Sequence, residues 1–197
     1  MTSVPERTRL YLLIGVIWFL LAVALGASGI LTRMAPTVPQ LWLVTLTVLL
    51  IAAGVVVPSF RSWLAVVDLR LPIAVHLSRF VGIYFLTLYA RGLLPFDFAV
   101  LGGWGDIAIA VTALAFIVVT RDPSAHRGLL WIWNLLGFFD IVFVVLTAAR
   151  MAAADPPSMG LLRTLPLSLL PTYFVPLIIA SHVLIFWRLG RVRLREA

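Results

Sequence analysis

Six apolar runs constrain this chain more than any motif does, because each has about the 20 residues that a helix needs to cross a hydrocarbon core. Backbone amides inside lipid have no water to bond, so isolated apolar runs of this length form helices. The predicted spans are residues 10–31, 39–57, 71–90, 98–120, 128–149 and 167–187. The sequence therefore predicts an all-α, polytopic transmembrane helix bundle.

Composition agrees with this fold class. Of the 197 residues, 62% are hydrophobic and 12% are charged, whereas soluble domains have about 25% charged residues. All connections between the runs are short, so we expect a single transmembrane domain over residues 1–197. These properties exclude a soluble enzyme and a disordered tail. The first run is longer than the apolar core of a signal peptide, so we expect an uncleaved first helix.

Arginine counting predicts the orientation, since short cytoplasmic loops of membrane proteins are enriched in basic residues. With the N-terminus inside, ten arginines lie on the inner side and four on the outer side. The inner set is Arg7, Arg9, Arg61, Arg70, Arg121, Arg127, Arg188, Arg191, Arg193 and Arg195, and the outer set is Arg33, Arg91, Arg150 and Arg163. Both termini are therefore predicted to be cytoplasmic. The net charge of +7 fits contact with anionic lipid headgroups. The sequence has no basic nucleic-acid-binding motif, so we expect no nucleic-acid partner.

Polar residues inside the spans mark the candidate site, because such residues are costly in lipid and usually functional. The set consists of His76, Arg79, Asp106, Asn134, Asp140 and His182. The first two spans carry nothing comparable, so the chain divides into an apolar first third and a polar-cored remainder. Counting from the inner arginines at 1.5 Å per residue places the two imidazoles and the amide about 9 Å deep and the carboxylates about 20 Å deep.

Small residues indicate how the spans meet at this site. Gly102, Ala110 and Ala113 share a helix face with Asp106, and such stripes let helix backbones approach closely in lipid. Residues 103–107 and 137–141 share the pattern Gly-x-x-Asp-Ile, which is compatible with an inverted repeat around a transport site. Prolines at five-residue spacing in the last span (Pro166, Pro171 and Pro176) favour kinks and free backbone carbonyls.

Three functions remain open from the residues alone. In the leading interpretation, one aspartate pairs with Arg79 and the other is free to titrate, so that the site binds or moves a small polar or amphipathic molecule with proton coupling. Such a transport path would require a homodimer. The second is a membrane redox protein in which His76 and His182 ligate one b-type haem. The third is a non-catalytic scaffold whose buried charges fix helix register.

Other chemistry has little support in the sequence. The chain has no cysteine and lacks nucleophile-elbow, zinc-helix and phosphate-loop patterns. We expect no metal site, because the carboxylates are predicted about 10 Å deeper than the imidazoles. Enzymatic activity is disfavoured, although an intramembrane enzyme using aspartate and histidine as acid and base stays an alternative.

Several motifs together resemble a group of small, uncharacterised bacterial six-helix membrane proteins. They are the segments at 79–86 (RFVGIYFL), 92–95 (GLLP), 103–107 (GWGDI), 133–140 (WNLLGFFD) and 170–177 (LPTYFVPL), with His182. The resemblance covers residues 76–188. It implies a location in the bacterial inner membrane and carries no activity with it.

Overall fold

The structure is a computed structural model that describes residues 4–120 and 122–196, and these ranges contain helices and no strand. The predicted all-α class is therefore confirmed for them. Of the arginines used to predict orientation, Arg121 lies outside the described residues, as do the side chains of Arg193 and Arg195.

Within the described ranges, six helices are long and apolar enough to cross a membrane, which confirms the predicted number. They are α1 (Glu6–Ala27), α2 (Val38–Val56), α3 (Arg70–Ala90), α4 (Asp97–Val119), α5 (Arg127–Ala154) and α6 (Leu170–Arg191). Shorter helices, Ile30–Arg33, Pro58–Leu64, Pro123–His126 and Pro156–Arg163, lie between them.

The ends of three helices differ from the predicted spans. α1 stops at Ala27 instead of residue 31, because Gly29 adopts a left-handed φ of 69° that interrupts the helix. α5 continues past residue 149 to Ala154, through an alanine-rich segment that favours helix. α6 begins at Leu170, after Pro166, instead of at residue 167.

Irregular turns occur in three of the long helices, α3, α4 and α6. α3 contains a 3-10 segment, Val75–Phe80. α4 and α6 each begin with a π-helical turn, at Asp97–Gly102 and Leu170–Phe174. Because side chains three residues apart are eclipsed in a 3-10 helix, the segment in α3 places His76 and Arg79 on one face.

The outward faces of the long helices are apolar, in contrast to those of a water-soluble protein. Leu21 in α1, Leu49 in α2 and Val118 in α4 are 64%, 60% and 74% exposed. Large exposed apolar surfaces are rare on soluble monomers and mark contact with another apolar phase. Such an exterior fits a lipid environment.

The chain forms two compact units. The first contains Met1–Val67 and Gly160–Leu177, and the second contains Asp68–Met159 and Ile178–Ala197. All six predicted site residues belong to the second unit, whereas the two apolar spans belong to the first. The predicted contrast between an apolar first third and a polar-cored remainder thus follows the division into units.

In the first unit, a tryptophan replaces a backbone hydrogen bond that proline removes. Pro176 has no N–H, and in an α-helix that N–H would bond the carbonyl of Thr172. Trp18 Nε1 of α1 donates to this carbonyl at 3.0 Å. The proline spacing predicted a backbone carbonyl without its helical donor. The indole N–H of Trp18 is the donor to this carbonyl.

The second unit has a hydrophobic core of aliphatic and aromatic side chains from α3 to α6 and from Leu69, which directly precedes α3. Its buried members are Leu69, Ile73, Ile109, Ala113, Phe116, Leu130, Trp133, Ile185 and Leu189. Trp133 Nε1 donates to Thr112 Oγ1 at 2.9 Å, which satisfies the indole N–H inside this core. The core anchors the four helix segments that carry the polar residues.

The contribution of the hydrogen bond from Trp18 to the Thr172 carbonyl can be tested by mutation. We expect Trp18→Phe to lower the free energy of unfolding by about 1–3 kcal/mol, because the Thr172 carbonyl loses its donor. The loss should shrink in a Pro176→Ala background, which restores the backbone N–H. Reversible denaturation in detergent measures both, with Trp42→Phe, an exposed tryptophan of α2, as the control. An equal loss in the two backgrounds would contradict this account.

Candidate functional site

Arg79 occupies the centre of the polar cluster and is almost completely buried, with 1% of its side chain exposed. Its Nε donates to Asp106 Oδ1 at 2.6 Å, and its Nη2 donates to Asp140 Oδ2. Its Nη1 donates to the Gly137 carbonyl oxygen at 3.1 Å. The guanidinium of α3 thus joins α4 and α5 through three hydrogen bonds.

This arrangement corrects one expectation from the sequence. Only one aspartate was expected to pair with Arg79, and the structure shows that both do. A guanidinium presents five N–H groups along its planar edges, so one arginine can bond two carboxylates and a carbonyl at once. The two carboxylates differ in exposure, since 4% of the Asp106 side chain is accessible and 20% of the Asp140 side chain.

Two histidines form a second group beside this cluster. The rings of His76 and His182 lie in contact, with centroids 4.3 Å apart and planes tilted by 55°. Both residues are fully buried. Trp133 packs its ring edge-on against His76, and Phe138 packs edge-on against His182. The two imidazoles predicted to share one depth therefore meet.

Each imidazole is held on one side by a polar side chain. His76 Nε2 lies 2.9 Å from Ser181 Oγ, whose hydroxyl is also 2.7 Å from the Ile178 carbonyl oxygen. His182 Nδ1 lies 2.8 Å from Asn134 Oδ1, and Asn134 Nδ2 donates to the His182 carbonyl at 3.1 Å. These contacts fix both rings between α3, α5 and α6.

Glycines allow the polar side chains to approach neighbouring helices. A Cβ added at Gly82 would collide with the Gly103 carbonyl oxygen and lie 3.1 Å from Asp106 Cβ. A Cβ at Gly105 would overlap the Asp140 carboxylate, and one at Gly137 would lie 2.8 Å from His182 Cε1. Each glycine therefore makes room for the polar residue of another helix.

Gly137 also joins the two groups. Its missing side chain admits the His182 ring, and its carbonyl accepts the hydrogen bond from Arg79 Nη1. One backbone position of α5 thus contacts the imidazole pair and the guanidinium together.

The geometry narrows the chemistry that this site can perform. A porphyrin ligated by both histidines must lie between the two rings, and their direct contact leaves no space for it in this arrangement. Among the described residues, no three His, Asp or Glu side chains are grouped so that they could hold a metal ion. Ser181 contacts His76, yet its hydroxyl bonds the Ile178 carbonyl, and no carboxylate orients His76 as in a catalytic triad.

All six residues singled out from the sequence lie in these two adjoining groups. The sequence interpretation missed the Ser181 contact with His76 and the carbonyl of Gly137. Both had a weak signal, since Ser181 precedes His182 and Gly137 stands in the repeated Gly-x-x-Asp-Ile pattern. Gly102, Asp106, Ala110 and Ala113 are buried, as the small-residue stripe predicted.

Comparison with known families gives one match. Residues 36–190 match the family described as "Domain of unknown function (DUF8737)". This range contains α2 to α5, all but the last residue of α6, and every residue of the site. Comparisons with curated proteins and with solved structures find no match. The resemblance to bacterial six-helix membrane proteins therefore stays a prediction.

The close approach of α3 and α4 can be tested at its tightest point. We expect Gly82→Ala to lower the free energy of unfolding by about 1–3 kcal/mol, since the added methyl group meets the backbone of Gly103 and must push the helices apart. Gly128→Ala is the matched control, because a Cβ there meets nothing within 4 Å. Thermal unfolding in detergent measures both variants. Equal stabilities would show that the helices are not in contact here.

Proposed function

The chain belongs to the DUF8737 family, and we propose that it is an integral membrane protein whose second unit binds or moves a small polar or amphipathic molecule. The polar site between α3, α4, α5 and α6 is the place of binding, and binding is coupled to a proton. One observation carries this proposal: a single buried guanidinium lies between two carboxylates.

The charges of this cluster do not balance. Two ionised aspartates and one arginine leave one negative charge in an interior where an unpaired charge is costly. A structural ion pair needs only one carboxylate, so the second is surplus to that purpose. A proton or a bound cation neutralises the surplus, which gives the site a group that changes its charge state.

Asp140 is the better candidate for that group. Its side chain is 20% accessible, whereas that of Asp106 is 4% accessible and lies on the tight small-residue face of α4. A carboxylate that exchanges a proton or a ligand has to be accessible to that proton or ligand. A carboxylate that only forms a permanent contact does not need to be accessible. We therefore assign Asp106 to the permanent contact with Arg79 and Asp140 to the exchange.

A scaffold function is the second candidate. The three hydrogen bonds of Arg79 join α3, α4 and α5, and a buried ion pair of this kind can fix helix register without any ligand. In that case both aspartates are structural and neither changes its charge. The two candidates differ in what each carboxylate does, and mutation separates them.

The proposed location is the bacterial inner membrane, with both termini in the cytoplasm. The ten-to-four distribution of arginines supports this orientation. Six helices are few for a complete transport path within one chain. A homodimer, in which two copies form the path together, is therefore part of the proposal. No catalytic role is assigned to any residue.

Replacing each aspartate by asparagine separates the roles of the two residues. Asn resembles a neutral carboxylic acid in shape and hydrogen bonding, so Asp140→Asn should keep a melting temperature near that of the parent. Asp106→Asn should lose about 1.5–3 kcal/mol of stability, since it removes a buried charge-assisted hydrogen bond. Infrared spectroscopy should detect one protonated carboxyl group in the parent and none in either variant, because each variant removes the surplus carboxylate and leaves Arg79 one ionised partner.

Asp97→Asn is the matched control for these variants. Asp97 forms an exposed ion pair with Arg150 at 3.2 Å, and exposed pairs contribute little. Its variant should keep both the stability and the carboxyl band of the parent. Equal destabilisation by Asp106→Asn and Asp140→Asn, with no protonated carboxyl in the parent, would support the scaffold instead.

Orientation is tested by reporter fusions in a bacterial host. A fluorescent reporter that folds only in the cytoplasm should be active when fused after residue 197, and a periplasmic phosphatase should be inactive there. Fusion in the connection between α3 and α4, after Arg91, should give the opposite pair of results. A periplasmic C-terminus would refute the proposed orientation.

A further inference from the structure

Asp140 lies at the middle of the longest spanning helix, α5. This helix covers Arg127–Ala154, so thirteen of its residues precede Asp140 and fourteen follow it. At 1.5 Å per residue, about 20 Å of helix separates Asp140 from either end. The hydrocarbon core of a bilayer is about 30 Å thick, so a membrane-spanning α5 carries this carboxylate near the centre of that core.

The two carboxylate oxygens of Asp140 have different surroundings. Oδ2 accepts the hydrogen bond from Arg79 Nη2. Oδ1 has no hydrogen-bond partner among the described residues, and it lies against the backbone of Gly105, where an added Cβ would overlap it. Oδ1 retains accessible surface, as part of a side chain that is 20% exposed. One oxygen is thus held by the guanidinium, and the other can carry a proton.

The surface around the Asp140 carboxylate is apolar. Leu136, Phe139 and Phe143 lie within one helical turn of Asp140 on α5, and all three are exposed. Trp104 of α4 is also exposed, and it adjoins the glycine that contacts Oδ1. Large apolar side chains that are exposed at the middle of a spanning helix lie against lipid chains. The accessible oxygen of Asp140 therefore opens towards hydrocarbon.

This location determines which aspartate holds the proton. Arg79 of α3 pairs with Asp106 of α4 and with Asp140, so two ionised aspartates would leave one surplus negative charge. A charge that faces hydrocarbon is costly, and the exposed carboxylate is the one that faces it. A proton on Oδ1 of Asp140 removes the surplus, leaves Oδ2 to accept from Arg79, and leaves Asp106 as the ionised partner.

We propose that Asp140 is a protonated carboxyl group that faces the lipid, and that it is a modification site for uncharged, membrane-soluble carbodiimides. The inference rests on the proposed function, in which Asp140 carries the exchange, and it deepens that function by giving the direction of access. A molecule that reaches Oδ1 comes through the hydrocarbon. The molecule bound at this site is therefore amphipathic and enters sideways from the bilayer.

The reaction with a carbodiimide requires the carboxyl proton. The carboxyl oxygen bonds the central carbon of the reagent, and the O–H hydrogen passes to one of its nitrogens, so that one C=N double bond becomes single and an O-acylisourea forms. The acyl group then moves from this oxygen to the other nitrogen, the C–O bond breaking as the C–N bond forms, which gives a stable N-acylurea. The whole reagent is added, nothing is released, and no oxidant or reductant takes part. An ionised Asp140 has no proton to supply.

Two carbodiimides of different solubility test this proposal. In phosphatidylcholine nanodiscs, dicyclohexylcarbodiimide should add one label per chain, on the peptide that contains Asp140, as measured by mass spectrometry. A water-soluble carbodiimide with glycine ethyl ester should modify exposed carboxylates such as Asp97 and leave Asp140 unmodified. Modification of Asp140 by the water-soluble reagent, or no labelling by the membrane-soluble one, would overturn the proposal.

Two variants test whether labelling depends on the surplus proton. Asp140→Asn should abolish labelling, because the reacting carboxyl group is absent. Asp106→Asn should abolish it as well, although Asp140 is present, because Asp140 then becomes the ionised partner of Arg79. Asp97→Asn is the matched control, since its exposed ion pair lies outside the site, and it should be labelled like the parent. Full labelling of Asp106→Asn would contradict the assignment of the proton.

The direction of access is measured independently of the proton. The chain has no cysteine, so Leu136→Cys and Phe143→Cys each give one position for a nitroxide spin label. Both labels should be relaxed by oxygen, which concentrates in hydrocarbon, and not by a water-soluble nickel chelate. Ala125→Cys, exposed in the connection between α4 and α5, is the control and should show the reverse.

The two measurements fail in different ways. Relaxation of the labels at residues 136 and 143 by the nickel chelate would show that this surface faces water, and the lipid-facing site would be wrong even if the proposed function held. Relaxation by oxygen without carbodiimide labelling would show that Asp140 faces lipid but holds no proton. That result would overturn both the modification site and the exchange assigned to Asp140 in the proposed function.

Discussion

Burial of the Arg79 guanidinium is the constraint on which the second unit depends. A guanidinium charge buried this deeply has to be met by acceptors from other helices. Asp106, Asp140 and the Gly137 carbonyl supply them from α4 and α5. Leaving any of these bonds unmade exposes a charge to an apolar interior. The positions of three helices are thereby tied to one side chain.

Glycine makes these bonds geometrically possible. Helices in lipid gain little from hiding apolar surface from one another, so they associate through close packing and polar contacts. Gly82 brings the backbones of α3 and α4 together, Gly105 admits the Asp140 carboxylate, and Gly137 admits the His182 ring. Three of the polar side chains, Asp106, Asp140 and His182, thus occupy space that a glycine of another helix leaves free.

The imidazole pair shows how neighbours determine the chemistry of a group. Ser181 contacts Nε2 of His76, and Asn134 contacts Nδ1 of His182. The environment of each ring is therefore determined by a residue of another helix.

The sequence predicted six helices long enough to span a membrane, and their approximate limits, because long apolar runs allow no other regular structure in lipid. It also predicted the six polar residues, because each of them is conspicuous within an apolar run. The same-face spacing of His76 and Arg79 was also local information. Tertiary structure alone decided that Arg79 binds both aspartates, that Ser181 meets His76, that Trp18 replaces the donor lost at Pro176, and where the helix ends differ. These contacts join residues that are distant in the chain, so their geometry depends on helix rotation and separation, which periodicity does not encode.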